Sequence, residues 1–165
     1  MTSPTTLDAN ATISSNSPTH SVISLSATAI RLVDYLQPAV NMLFRLWVAK
    51  VFFMSGLTKT KIWVTTLMLF EYEYAVPLIN VKLAAFLATG AELLLPVLLV
   101  VGLAGRFSAA GLFILNIVAA ISYPDISPAG IYDHYFWGAM LLILTVYGPG
   151  KISVDAWLQQ RFFTP

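Results

Sequence analysis

Cysteine is missing altogether from the 165 residues. That excludes disulfides, iron–sulfur ligation, c-type haem attachment and thiol redox chemistry within this chain. Histidine occurs only as His20 and His134. A bis-histidine haem would need both, and His20 lies in a stretch expected to be unfolded. No cofactor is therefore expected to be covalently bound, and no metal-ligand set is evident. Charge is also scarce: 10% of the residues are Asp, Glu, Lys or Arg, against about 25% in an average soluble domain. The net charge of +1, with no basic stripe, argues against a nucleic-acid partner. No Lys or Arg precedes Arg31, so the start of the chain has neither the basic n-region of a signal peptide nor the arginines of a transit peptide.

What is present is apolar surface. Hydrophobic residues make up 58% of the chain and the mean hydropathy is +0.77, the composition of an integral membrane protein whose partner is the lipid bilayer. Residues 1–29 are rich in Ser and Thr and are expected to form a disordered tail. An amphipathic lead-in, Ile30 to Gln37, is expected to end before Pro38. The rest, 30–165, reads as an all-α, four-helix transmembrane bundle with spans at about 38–57, 83–104, 107–123 and 131–147. Pro38 suits a first helical position, and Gly148-Pro149-Gly150 ends the last span. Segments at about 60–78 and 153–163 read as interfacial. The first carries Trp63, Tyr72 and Tyr74, which favour the headgroup layer. In the second, Ser153 is expected to cap and Asp155 to complement the first helical turn. Arg31, Arg106, Lys151 and Arg161 fall on the side of the termini, which the positive-inside rule assigns to the cytoplasm.

Three charges interrupt the spans: Arg45 and Lys50 in the first and Glu92 in the second. A charge at the bilayer centre costs about 2.5–3.5 kcal/mol on insertion scales, so it persists where it is paired or used. Arg45 shares a helical face with Asn41, Ala49, Phe52 and Gly56, and Glu92 shares one with Ala85, Ala88, Thr89 and Pro96. Small residues on those faces let a neighbouring helix approach, so both charges are expected to point inward and at similar depth, as an ion pair fixing register. Lys50 lies on a bulkier face with Trp47, Phe53 and Met54. It is expected at a helix contact, in a wet cavity, or reaching Glu71 or Glu73. Two cations against one anion leave a surplus positive charge, suited to an anionic or dipolar ligand such as a quinone carbonyl, a lipid phosphate or a small oxyanion.

Other residues carry weaker signals. Asn116, in the third span, is expected to make an interhelical hydrogen bond. Asp133-His134 offers a proton relay or metal site, but such a pair more often sits in the headgroup layer. Glu71 and Glu73 lack a nearby His or Cys to complete a metal site. Lys59, after Ser55-Gly56, reads as a cation matching a helix C-terminus. The GPGK at 148–151 is no phosphate loop, because Thr145 and Ile152 stand where the Walker pattern needs Gly and Ser or Thr.

RLWVAKVFFMSGLTK (45–59), LFEYEYAVPL (69–78), ATGAELLLPVLLVVGLAGR (88–106), LNIVAAISYP (115–124) and YGPGKISVD (147–155) follow one another in an order that resembles the DoxX family of small bacterial four-helix membrane proteins. The resemblance covers about residues 40–158. It implies family-motif positions at Arg45, Ser55, Gly56, Lys59 and Glu92, with Lys50 where a small or neutral residue is expected. The family's name comes from a thiosulfate:quinone oxidoreductase subunit, and other members are thought to act with membrane-associated redox or stress-response partners. The resemblance thus implies a bacterial inner-membrane protein; with no thiol, no cluster of metal ligands and no nucleophile–base arrangement in the sequence, catalysis by this chain alone is not expected. The protein would be a quinone-interacting or non-catalytic subunit of a redox or stress-response complex, with protein partners. The alternatives are a structural scaffold, or a small anion or metabolite transporter acting as a homo-oligomer.

Overall fold

Asn80 and Ser127 start two helices by the same chemistry. Asn80 Oδ1 accepts the Lys82 backbone N–H at 2.9 Å, and Ser127 Oγ accepts that of Gly130 at 3.1 Å. Each satisfies a first-turn donor that has no partner inside its helix. The computed structural model describes residues 18–74, 76 and 79–162, with side chains from Ile30 onward. Every element among them is a helix: α1 Pro18–Lys61, α2 Trp63–Tyr72, α3 Val81–Val101, α4 Gly105–Ser122, α5 Pro128–Tyr147 and α6 Val154–Phe162. The chain forms two compact units, one ending at Tyr35 and one beginning at Leu36. The candidate site lies in the second.

Among the described residues, three helical stretches, Ile30–Lys61, Val81–Val101 and Gly105–Ser122, are long and apolar enough to cross a membrane. Helix α5, at 20 residues, has the length, but Tyr132, Asp133, His134 and Tyr135 make its first half too polar to qualify on composition. Large apolar side chains such as Leu46, Phe86, Leu94, Phe107, Ile114 and Ile121 face outward. Such a surface is stable against lipid and not against water.

Inside, Val48 and Phe52 of α1 meet Leu99 of α3, Ala109 and Leu112 of α4, and Met140, Leu141 and Leu144 of α5. Phe70 of α2 packs against Ala84 and Ala85 at the start of α3. Small residues mark the tightest approaches. A Cβ on Gly56 would lie 3.0 Å from Glu92 Cβ and 3.0 Å from the Leu93 side chain. Gly56→Leu is therefore expected to destabilise the bundle by about 1–3 kcal/mol through overpacking, measured by denaturant unfolding in detergent.

Several boundaries differ from the sequence expectation. Of the expected 1–29 tail, residues 1–17 lie outside the described residues, whereas 18–29 begin α1. Pro18 suits a helix start. Pro38 starts no helix and lies inside α1, where proline removes one backbone hydrogen bond without stopping a long helix. Helix α1 also runs past Leu57 to Lys61. Ser153 does cap α6, accepting the Ala156 N–H at 3.1 Å. Asp155 stands in the first turn of that helix as expected, and its carboxylate also accepts the Ala104 and Gly105 N–H groups at 2.8 and 2.7 Å. It caps the start of α4.

Candidate functional site

The expected Arg45–Glu92 pair does not form. Arg45 is 1% exposed, and its guanidinium is occupied by carbonyls. Nε donates to Leu99 O at 2.9 Å, Nη2 to Val100 O, and Nη1 to Pro149 O at 2.9 Å and Ile152 O at 2.6 Å. Leu99 and Val100 belong to the last turn of α3, where carbonyls lack intrahelical donors and carry the negative end of the helix dipole. Gly102, at φ 74°, follows directly, and a Cβ there would lie 2.7 Å from Arg45 Nη2 and 2.5 Å from Ser153 Cβ. Asn41 Nδ2 donates to Gly148 O at 3.0 Å. Arg45 and Asn41 thus fasten the end of α3 and the 148–152 turn to α1.

Glu92 is bound near the other end of α1, by a residue that reads from the sequence as a helix-terminal cation. Lys59 Nζ donates to Glu92 Oε2 at 2.7 Å and to Oε1 at 2.9 Å, and to Ser55 Oγ at 2.8 Å. Ser55 Oγ in turn donates to Glu92 Oε1 at 3.2 Å. All three ammonium protons are engaged, and Oε2 keeps an open lone pair. Ser55 and Lys59 stand one turn apart on α1, so they present together to Glu92, while Gly56 lets its backbone approach. The Lys59 carbonyl accepts the Thr66 hydroxyl at 2.7 Å, tying α2 to the end of α1. The expected surplus cation is therefore not found at one site: Arg45 is matched to carbonyls, Lys59 to Glu92, and Lys50 faces outward on the bundle surface.

A cavity of about 190 Å³ opens beside this triad. Its wall includes Phe52, Phe70, Tyr74, Tyr123 and Trp137, with Lys59, Glu92, Ser122 and His134 as polar groups. The rings interlock edge to face: Tyr74 lies 5.0 Å from Phe70 and 5.5 Å from Tyr123, and Phe52 6.2 Å from Trp137. Burial raises the pKa of the Tyr74 phenol above its ordinary value, and Glu92, Tyr123 and Glu73 add to the effect, so the hydroxyl stays protonated at neutral pH.

Asn116 fixes the histidine. Its Nδ2 donates to the His134 carbonyl at 2.9 Å, which turns Oδ1 toward His134 Nδ1, also 2.9 Å away. Nδ1 must then carry the proton, and in the neutral ring Nε2 is left as an acceptor. Asn116 is thus a positioning residue on α4 for a ring on α5, while Asp133 beside it is exposed. Ser122 has no distinguishing signal in the sequence, where it is one more serine at a helix end. It is 1% exposed, and its hydroxyl has no hydrogen-bond partner among the described residues. A buried, unpartnered hydroxyl on the wall of a cavity marks a place for a ligand or water.

Comparison with known proteins identifies a family. A family model described as DoxX matches residues 40–124, which contain Arg45, Ser55, Gly56, Lys59, Glu92 and Asn116. A protein of Haemophilus influenzae, described only as an uncharacterized protein, is 32% identical over 130 residues, covering 74% of this chain and 85% of its own length. No solved structure matches the chain.

Proposed function

The chain belongs to the DoxX family of membrane proteins, and from that premise we propose that the aromatic cavity binds the head group of a quinone in its reduced, hydroquinone form, as the membrane subunit of a redox complex. The observation that carries the reading is the polarity of the wall. Glu92 Oε2 and His134 Nε2 are both acceptors, on α3 and α5. A 1,4-hydroquinone presents an O–H donor at each end of a flat ring, whereas a quinone presents acceptors. The Ser122 hydroxyl supplies a further contact for a ring oxygen, and the aromatic wall suits the ring faces. Size agrees as well: an engineered cavity of about 150 Å³ holds benzene, so this one admits a substituted ring and leaves an isoprenoid tail in the bilayer.

In this proposal the chain's own residues position the ring. Lys59 and Ser55 hold the Glu92 carboxylate, Asn116 sets the His134 tautomer, and the aromatic wall keeps water away. The redox centre that exchanges electrons with the ring belongs to a partner protein. With α5 as a fourth crossing, both termini face the cytoplasm of a bacterial inner membrane, where Arg106, Lys151 and Arg161 satisfy the positive-inside rule.

The test is equilibrium binding of a tail-less methylated 1,4-hydroquinone, kept reduced under anaerobic conditions. Binding is followed by quenching of Trp137 fluorescence, with Trp137→Phe as the control. The 1,4-dimethyl ether, which has no donors, is expected to bind about 100-fold more weakly, a loss of two hydrogen bonds to strong acceptors. Equal binding of the ether, or no binding by folded protein, refutes the assignment.

A further inference from the structure

The turn after α5 seats directly on the start of α4: a Cβ on Gly105 would lie 2.6 Å from Pro149 Cβ. An open cleft of about 1230 Å³ lies at this end of the bundle. Its wall includes Arg106 and Phe107 of α4, Tyr147 of α5, Lys151 of the turn, and Asp155 and Leu158 of α6. The Arg106 guanidinium lies across the turn, where a Cβ on Gly148 would stand 2.9 Å from its Nε. Neither Arg106 nor Lys151 makes a side-chain hydrogen bond or ion pair among the described residues. Asp155, the carboxylate on the wall, is already engaged. Its oxygens accept the Ala104 and Gly105 N–H groups at 2.8 and 2.7 Å, and it interacts electrostatically with buried Arg45. The cleft therefore carries two unmatched positive charges.

Both charges lie at a membrane surface. Arg106 is the second residue of a helix long and apolar enough to cross, and Lys151 lies four residues past the end of α5. That is the level of lipid phosphates, and basic pockets between membrane helices at this level hold anionic head groups. From the cleft, Phe107, Ile114 and Ile121 continue along α4 at intervals of seven residues. They share one helical face and are all exposed, so an apolar stripe leads from the two cations into the hydrocarbon layer. A phosphate held in the cleft can lay an acyl chain along this stripe. The unmatched cations repel a choline group and favour a head group with no positive charge. We propose that the Arg106–Lys151 cleft binds an anionic phospholipid, with its phosphate at the two cations and an acyl chain on the outer face of α4. A free phosphate shares the charge but makes no use of the stripe. The inference does not depend on the hydroquinone reading, because the cleft and the cavity share no lining residue.

The experiment uses the full chain reconstituted in phosphatidylcholine vesicles. Trp157 is exposed on α6, between Ala156 and Leu158 of the cleft wall, and the quenching lost in Trp157→Phe isolates its signal. The probes are phosphatidylglycerol and phosphatidylcholine with brominated acyl chains. Brominated phosphatidylglycerol is expected to quench Trp157 at a mole fraction roughly thirty-fold lower, the value of two basic side chains near a bilayer surface. Arg106→Gln and Lys151→Gln are each expected to cost about fivefold of that preference, and the double variant to erase it. Arg106→Lys with Lys151→Arg keeps both charges and is expected to keep the preference, which separates loss of charge from loss of fold. Arg161→Gln, outside the cleft wall, is expected to leave most of it. The proposal is overturned if wild type takes the two lipids equally, or if the double Gln variant keeps the preference. It is also overturned if Arg161→Gln costs as much as that double variant, which would assign the attraction to the end of α6. Displacement of the brominated lipid by millimolar inorganic phosphate at constant ionic strength would make the cleft a free-oxyanion site and overturn the lipid assignment as well.

Discussion

Arg45→Met is expected to lower the stability of the protein in detergent by about 3–5 kcal/mol, the largest single-site loss in the chain. The side chain donates to four carbonyls from two segments distant in sequence. Methionine fills much of the same volume and donates to none of them. Each buried carbonyl left without a donor costs about 1–3 kcal/mol. Three of the four soften that cost: Gly102 N–H still reaches the Leu99 carbonyl at 3.2 Å, and the 148–152 turn, which carries the other two, can relax toward solvent. Arg45→Lys restores a charge at the α3 C-terminus but not the planar fork of donors, so it is expected to recover about half of the loss. The measurement is denaturant unfolding in mixed micelles, with helical circular dichroism confirming that each variant begins folded. Arg45→Met within about 1 kcal/mol of wild type would sink the idea. Hydroquinone affinity is expected to survive in the folded fraction. Arg45 lies eleven residues before Gly56, which packs on Glu92, and that spacing is about 16 Å along α1.

The same residue shows where the sequence is legible and where it is not. Hydropathy and turn residues locate the helices, because burial in lipid demands long apolar runs and chain reversals demand Gly, Pro or Asn. Helical periodicity also turns Arg45 and Glu92 inward, since the small residues beside them mark helix contacts. The periodicity cannot choose partners. Matching cation to anion overlooks that a guanidinium has five donors and that the last turn of a helix offers carbonyls with no other use. Placing the end of α1 at Leu57 adds to the error. Extending it to Lys61 brings Lys59 to the carboxylate, with Arg45 about three turns away along α1. The Ser55-Gly56-x-x-Lys59 spacing, read with a membrane glutamate on the neighbouring helix, was the available signal for that pairing. The contact between Asn116 and His134 had no local signal, because it depends on how α4 and α5 are paired. Ser122 needed the cavity itself.

The second large effect separates architecture from binding at the Lys59–Glu92 pair. Lys59→Met leaves a buried carboxylate with only the Ser55 hydroxyl, and Glu92→Leu leaves a buried ammonium with only the Ser55 oxygen. Each single change is expected to destabilise the protein by about 2–4 kcal/mol. That is toward the lower part of the range for breaking a buried pair, because both side chains keep some exposure, 12% for Lys59 and 8% for Glu92. The double variant, Lys59→Met with Glu92→Leu, buries no charge and is expected to lie within about 1 kcal/mol of wild type, as apolar replacement of buried ion pairs often does. Additive losses in the double variant would show that the two side chains do not act as a pair. Restored stability makes the binding measurement decisive, because the fold is then intact while the acceptor on α3 is gone. Hydroquinone affinity is expected to fall about tenfold or more in that variant, the value of one charge-assisted hydrogen bond. Unchanged affinity would assign the pair to architecture alone and leave His134, held by Asn116, as the polar contact of the cavity.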